Sequence, residues 1–246
     1  RNVLWSRLCR QHDAAPLNLL LQGGDQIYAD EVFDVHPVAQ EWSKPTGDAG
    51  ADKGAQVPAI TDALSRALFQ RYLELYGQPE PAYILARVPS LAMWDDHDIH
   101  DGWGSVPDEK LDSPVGQAVF ALAREHFMLF QLGAGAEPPE TCPDRTGTSL
   151  GWRVELPGLS VIAPDLRSER RRERVMGPKG WESLETALET AKGGRVLLVS
   201  SVPALGPRLS VMEAVLSLWP VLVTYEDDLR DQWQSRAHRN EWRRFL

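Results

Sequence analysis

Short runs of apolar residues recur along the chain, and each predicts a strand, with the first two predicted to be buried. The four predicted strand regions are LNLLLQ at 17–22, PSLAMW at 89–94, a hairpin on either side of Pro157-Gly158, and RVLLVSS at 195–201. The first run stops at Gly23-Gly24, and the second leads directly into a cluster of aspartates and histidines. Both of these strands therefore end at polar residues that could carry chemistry.

Apolar residues at helical spacing fill the intervals between these runs. They predict helices at 2–12, 62–76, 115–132 and 180–191, and the segment at 225–246 also looks helical. Thr61 and Ser113 are the predicted caps of the second and third helices. Gly- and Pro-rich stretches at 44–58 and 133–147 predict loops.

Alternation of strands and helices predicts a layered α/β fold in one domain over 1–246. The 43% of hydrophobic residues is enough for a substantial core. In such folds ligands gather beyond the carboxyl ends of the strands, which is where both acidic clusters lie.

The formal net charge of −9 argues against a broad basic surface for nucleic acid or anionic membrane. It does not argue against a phosphorylated substrate, because metal ions can supply local positive charge. The two cysteines match no disulfide framework or metal-binding spacing, and no apolar run is long enough to span a membrane.

The first candidate site is LLLQGGDQIYAD. A carboxylate directly after a buried strand is held rigidly, and two glycines allow the sharp turn that would point Asp25 into a cleft. Tyr28 lies three residues on and could share a ligand with Asp25. The alternative is an ordinary strand-ending turn with Tyr28 in the core.

The second candidate is MWDDHDIHDGWG at 93–104. Carboxylates and imidazoles are ligands of metal ions, and acidic groups at this density repel one another unless a cation or hydrogen bonds offset them. The alternatives are a solvated acidic loop, or aspartates that cap a turn with His97 and His100 on the surface.

The third candidate is PDLRSERRRER at 164–174. Arg167, just after a strand, is the best placed of these arginines to contact an anionic substrate. The later arginines are more typical of a solvated helix face. Phosphate-binding loops, dinucleotide fingerprints and serine-hydrolase elbows are absent from the sequence.

In their order, GGDQIYAD, WDDHD, DLRSER and DQWQSRAHRNEW resemble the motifs of PhoD-like (alkaline phosphatase D) metallophosphatases. The resemblance implies an αββα metallophosphatase sandwich and a metal-dependent phosphoric ester hydrolase, either a phosphomonoesterase or a phosphodiesterase, that uses metal-activated hydroxide. It implies metal ligation by Asp25, Tyr28 and Asp96, a catalytic role for His97 at the leaving group, and substrate binding by Arg167.

The resemblance also implies a dinuclear or larger metal centre. A phenolate ligand favours a strongly acidifying ion, so we expect Fe(III), with Ca, Mg or Mn at an oxygen-rich partner position; Zn remains an alternative. The expected partner is a small phosphorylated substrate.

Family members carry one further ligand motif upstream and a G-D-x-H motif downstream, and neither occurs in this chain. We therefore expect a fold that is incomplete at both ends. The alternatives are a truncated or degenerate non-catalytic domain, or a metallohydrolase for another ester or amide. Location is left open, with the cytoplasm favoured over export.

Overall fold

The computed structural model describes residues 3–45, 47–192, 194–205 and 232–246. Its helices are α1 (Val3–Ala14), α2 (Pro37–Ser43), α3 (Val57–Tyr76), α4 (Pro79–Leu85), α5 (Asp108–Leu111), α6 (Pro114–Phe130), α7 (Pro178–Glu189) and α8 (Arg239–Phe245). Its strands are β1 (Leu20–Gly23), β2 (Ser90–Met93), β3 (Trp152–Leu156), β4 (Leu159–Ala163) and β5 (Val196–Leu198). Short 3-10 helices cover Ala29–Val35, Gly54–Gln56 and Asp96–Asp98.

The described strands form two small sheets. β1 and β2 pair in parallel, with Leu20 opposite Ser90 and Gly23 opposite Met93. β3 and β4 form the predicted antiparallel hairpin, and β5 adds to β4 in parallel. Because β1 and β2 run in the same direction, their carboxyl ends meet at one edge.

Side chains of the two sheets meet in one apolar cluster and alternate in direction along the strands. Met93 of β2 lies in one apolar cluster with Trp152, Val161 and Ala163, and the Trp152 indole N–H donates to the Ala92 carbonyl at 2.7 Å. Ile162, between the last two, faces the other way toward α7. This period of two is what a strand covered on both faces requires.

Helices cover the outer face of each sheet. On the β1–β2 side, α3 and α6 pack together over Ala92 and Trp94. On the far side, α7 covers β4. The predicted layered α/β class is confirmed, while the assignment of these layers to a metallophosphatase sandwich stays a prediction.

The observed ends of the first four predicted helices shift by at most two residues, except at the start of α3, and one of the two predicted caps is wrong. Ser113 does cap α6, since its hydroxyl accepts the Gly116 N–H at 3.0 Å. Thr61 was the wrong cap, because α3 begins at Val57 with Pro58 in its first turn, where a missing N–H costs nothing.

The arginine run and the last predicted helix also need correction. Residues 164–174 form turns and a short bridge between Arg171 and Arg174 instead of a helix face. Of the predicted helical segment at 225–246, residues 225–231 lie outside the described residues, and the described remainder is helical only in α8. No helix in the described part of the chain combines the length and apolar character that crossing a membrane requires.

Candidate metal centre

The site begins where β1 and β2 end side by side. Gly24 follows β1 with a φ of +109°, and a Cβ placed on it would lie 2.6 Å from the Asp95 Cβ. Glycine at this position therefore lets the Asp25 loop approach the Asp95–His97 loop so closely.

Asp25 and Tyr28 both have left-handed backbone conformations, with φ of 56° and 47°. A non-glycine residue pays on the order of 1–3 kcal/mol for such a conformation, so the surrounding structure must hold it. Asp98 contributes to stabilising this backbone conformation, since its buried carboxylate accepts the backbone N–H groups of Asp25 and Gln26 at 2.8 and 3.1 Å. Strained backbone conformations concentrate at functional sites, so they favour a functional role for this loop.

Asp25, Asp96 and His97 come together at this edge. Each offers one ligand atom, and the three atoms lie within 4.8 Å of one another. Within the described residues, the buried Asp25 Oδ1 has no hydrogen-bond partner. Burial, followed by the charges of Asp95 and Asp96, raises the pKa of Asp25 to about 7. An unpartnered oxygen beside like charges fits a bound cation, which would offset both.

The two carboxylates of this group can hold a metal ion, while the neighbouring imidazole can serve proton transfer. The structure thus brings together two of the predicted metal ligands with the predicted catalytic histidine. Metal ligation by Asp25 and Asp96 stays a prediction.

Tyr28 is placed beside this group with its ring stacked on His97, at a centroid separation of 4.5 Å. Its side chain is about half exposed, and the negative charge of Asp25 raises its pKa above the usual value. Phenolate ligation by Tyr28 stays a prediction, and a strongly acidifying ion would have to overcome this shift.

His97 is oriented by an aspartate that sequence reasoning missed. Its Nδ1 lies 2.6 Å from Asp30 Oδ2, and its Nε2 lies 3.7 Å from Asp101 Oδ1. The hydrogen bond to Asp30 raises the pKa of His97 to about 9. The imidazole is therefore protonated in the metal-free protein at neutral pH. Asp30 stands in the quoted GGDQIYAD motif, but nothing in its spacing indicates that it meets a residue 67 positions away.

Arg167 lies behind the aspartates. Its guanidinium is fully buried, pairs with Asp95, and lies 3.2 Å from Asp96 Oδ1. Ser201, which follows β5, donates to Asp95 at 2.8 Å. Direct binding of substrate by Arg167 stays a prediction; the contacts described here place it as a partner of the acidic cluster.

The surface positions expected for His100 and Arg170 are wrong, whereas the expected capping by aspartates is correct, since Asp95 and Asp98 form a capping box at the 3-10 helix Asp96–Asp98. His100 is no surface residue: it is buried against Phe33 and Trp42, and its Nε2 bonds to the Ser43 carbonyl at 3.0 Å. Arg170, assigned to a solvated face, is 1% exposed. Tertiary packing determines the burial of both side chains. The local sequence did not predict this burial, because neither residue belongs to an apolar pattern.

The chain matches a known protein family over most of its length. A family model described as PhoD related phosphatase matches residues 2–221. The chain belongs to the PhoD-related phosphatase family. The predicted resemblance to this family is thereby confirmed.

One curated relative of the chain is an uncharacterized protein of Saccharomyces cerevisiae, YGR266W. The two are 25% identical over 301 aligned positions, which cover 98% of this chain and 43% of the yeast protein. The chain thus spans less than half the length of that relative. No solved structure gives a significant match. Family membership, together with the Asp25–Asp96–His97 group, indicates a metal cofactor.

Proposed function

We propose that the protein is a metal-dependent phosphoric ester hydrolase that acts on small phosphomonoesters or phosphodiesters. The observation that carries this proposal is the convergence of Asp25, Asp96 and His97 at the joined ends of β1 and β2. A family of phosphatases supplies the reaction class.

Asp25 and Asp96 would hold the metal, with Tyr28 as an additional ligand. A bound ion supplies Lewis acidity and offsets the charge of the phosphate. Fe(III) with Ca, Mg or Mn fits a donor set of phenolate and carboxylates, and Zn is the alternative.

His97 would act as the proton donor to the departing oxygen. Asp30 accepts a hydrogen bond from Nδ1, which leaves Nε2 as the nitrogen that faces away from this bond and can give up a proton. Arg167 would hold Asp95 and Asp96 in place by its buried charge, and its predicted contact with the substrate is part of the same proposal.

The test combines metal analysis with hydrolysis of an aryl phosphate and an aryl phosphodiester, with iron, calcium, magnesium, manganese and zinc each supplied. We expect activity on one substrate, lost together with bound metal in Asp25→Asn and Asp96→Asn. Asp62→Asn is the matched control, because Asp62 is an exposed aspartate of α3 that pairs with Arg66 on the same helix.

Metal binding without hydrolysis of either ester would refute the enzymatic proposal and support a non-catalytic metal-binding domain. Activity that survives both site substitutions would refute the assignment of the ligands. Hydrolysis of carboxylic esters or amides in place of phosphoric esters would favour the alternative metallohydrolase.

A further inference from the structure

Asp98 differs from the other acidic residues of the site because both of its carboxylate oxygens are occupied by backbone N–H donors. It is fully buried at the end of the 3-10 helix Asp96–Asp98. Its Oδ2 accepts the backbone N–H groups of Asp25 at 2.8 Å and of Asp95 at 3.0 Å. A single oxygen thus joins the loops that follow β1 and β2.

The other oxygen extends this connection. Asp98 Oδ1 accepts the Gln26 N–H at 3.1 Å and the Gln131 side-chain amide at 3.2 Å. Gln131 lies just after α6, and its own Oε1 accepts the Gln26 side-chain amide at 2.9 Å. The carboxylate is therefore surrounded by donors from three segments that are far apart in the chain.

The geometry of these bonds determines how the proposed ligands face each other. The Asp25 N–H that binds Asp98 belongs to the same residue as one proposed ligand, and Asp95 directly precedes the other, Asp96. Asp25 also has a strained backbone, so the direction of its side chain depends on hydrogen bonds from other parts of the chain. Loss of the hydrogen bonds to Asp98 would let the carboxylates of Asp25 and Asp96 separate.

We propose that Asp98 is a positioning residue that sets the spacing between the two ligand-bearing loops and thereby the affinity for metal. It contacts neither metal nor substrate. The metal-affinity part of this inference rests on the proposed function, whereas the coupling of the two loops does not.

The decisive variant is Asp98→Asn. Both carboxylate oxygens accept backbone N–H groups, so an amide in either orientation places NH2 against a donor. The matched control is Asp144→Asn, since Asp144 is also a buried aspartate whose oxygens accept backbone N–H groups, from Thr146 and Ser149 in another loop.

Three measurements are made on the purified protein. The first is amide hydrogen exchange without metal. Asp98→Asn should increase the exchange rate at both Asp25 and Asp95 by roughly 10-fold or more, because each amide loses a buried hydrogen bond. Asp144→Asn should increase exchange at Thr146 and Ser149 alone. Unchanged exchange at Asp25 and Asp95 would overturn the proposal, whether or not the protein binds metal.

The second measurement is Mn²⁺ affinity by calorimetry with the metal alone, and the third is kcat and KM for an aryl phosphate. Asp98→Asn should weaken Mn²⁺ binding by about 10–100-fold and lower kcat more than it raises KM, whereas Asp144→Asn should change neither. Equal Mn²⁺ affinity in both variants would overturn the role in metal binding. A wild-type protein that neither binds Mn²⁺ nor hydrolyses the ester would instead refute the proposed function.

If Asp98→Asn fails to fold, Gln131→Met serves in its place, because it removes one donor to Asp98 and leaves the backbone bonds. It should weaken Mn²⁺ binding by about 3–10-fold and increase exchange at Gln26. Wild-type values for both would overturn the proposal.

Discussion

Acidification should destabilise the protein through one buried histidine, His100. Its ring lies between Phe33 and Trp42, and burial, followed by the positive charge of Lys110, lowers its pKa from 6.5 to about 4. The Ser43 carbonyl accepts from Nε2, so this nitrogen carries the proton of the neutral ring. The folded protein therefore resists a second proton that the unfolded chain accepts readily.

The sign and size follow from the two pKa values of His100. Above pH 6.5 the ring is neutral in both states, and its titration does not affect stability. As the pH falls from 6.5 toward 4, the unfolded chain binds the proton and the folded protein does not, so stability is lost. The loss amounts to about 2 kcal/mol near pH 5 and about 3 kcal/mol near pH 4.

The assay compares urea unfolding of the metal-free wild type and His100→Gln near pH 7 and pH 5. The glutamine amide can still donate to Ser43 but does not titrate, and other titrating groups, including Asp25 and Asp98, cancel in the difference between the two proteins. The variant should be less stable at pH 7 by roughly 1–3 kcal/mol because aromatic packing is lost. That deficit should shrink by about 2 kcal/mol at pH 5. Parallel pH dependences would refute the reasoning.

Three further substitutions test the site and its supports. Replacing Asp30 with Asn removes the negative charge beside His97 and one of the two oxygens that accept from His97 and from the Asp101 N–H, so kcat for an aryl phosphate should fall about 10–100-fold with KM changed less than about 3-fold. An unchanged kcat would count against the role of His97. Gly24→Ala should destabilise the protein in urea far more than Gly23→Ala, because a Cβ at Gly24 meets another side chain at 2.6 Å while one at Gly23 meets nothing within 4 Å; equal losses would contradict this. Ser113→Ala should lower the unfolding free energy by about 1 kcal/mol through loss of the α6 cap, and a change under about 0.3 kcal/mol would show that the cap contributes little.

Much of the secondary structure could be predicted because it depends on short-range patterns. The apolar runs correctly placed β1, β2 and the β3–β4 hairpin. Ser113 was correctly assigned as a cap, because a serine before a proline is a strong local signal for a helix start. Thr61 carried a similar signal and was still wrong, since the competing start at Val57 has its own proline.

The residues of the candidate site were likewise only partly predictable from short-range sequence patterns. Asp25 and the cluster at 93–104 could be selected because each follows closely on a predicted buried strand, and strand ends are where parallel sheets present polar residues. The choice of Asp96 and His97 within that cluster came from the family resemblance. The parallel pairing of β1 with β2 joins positions about 70 residues apart, and no local pattern encodes it.

Residues that act through long-range contacts were found only in the folded chain. The sequence did not distinguish Asp30 from other acidic residues, and only the structure shows its hydrogen bond with His97. Asp98 was one of several aspartates in the 93–104 cluster, and only the structure shows that its carboxylate accepts backbone N–H groups. Arg167 could be singled out by charge, but its buried position behind Asp95 and Asp96 could not. Residue type and local spacing thus determine which chemistry the chain carries, whereas the partner of each group is decided by packing, because contacts between distant segments form only when the sheets and helices assemble.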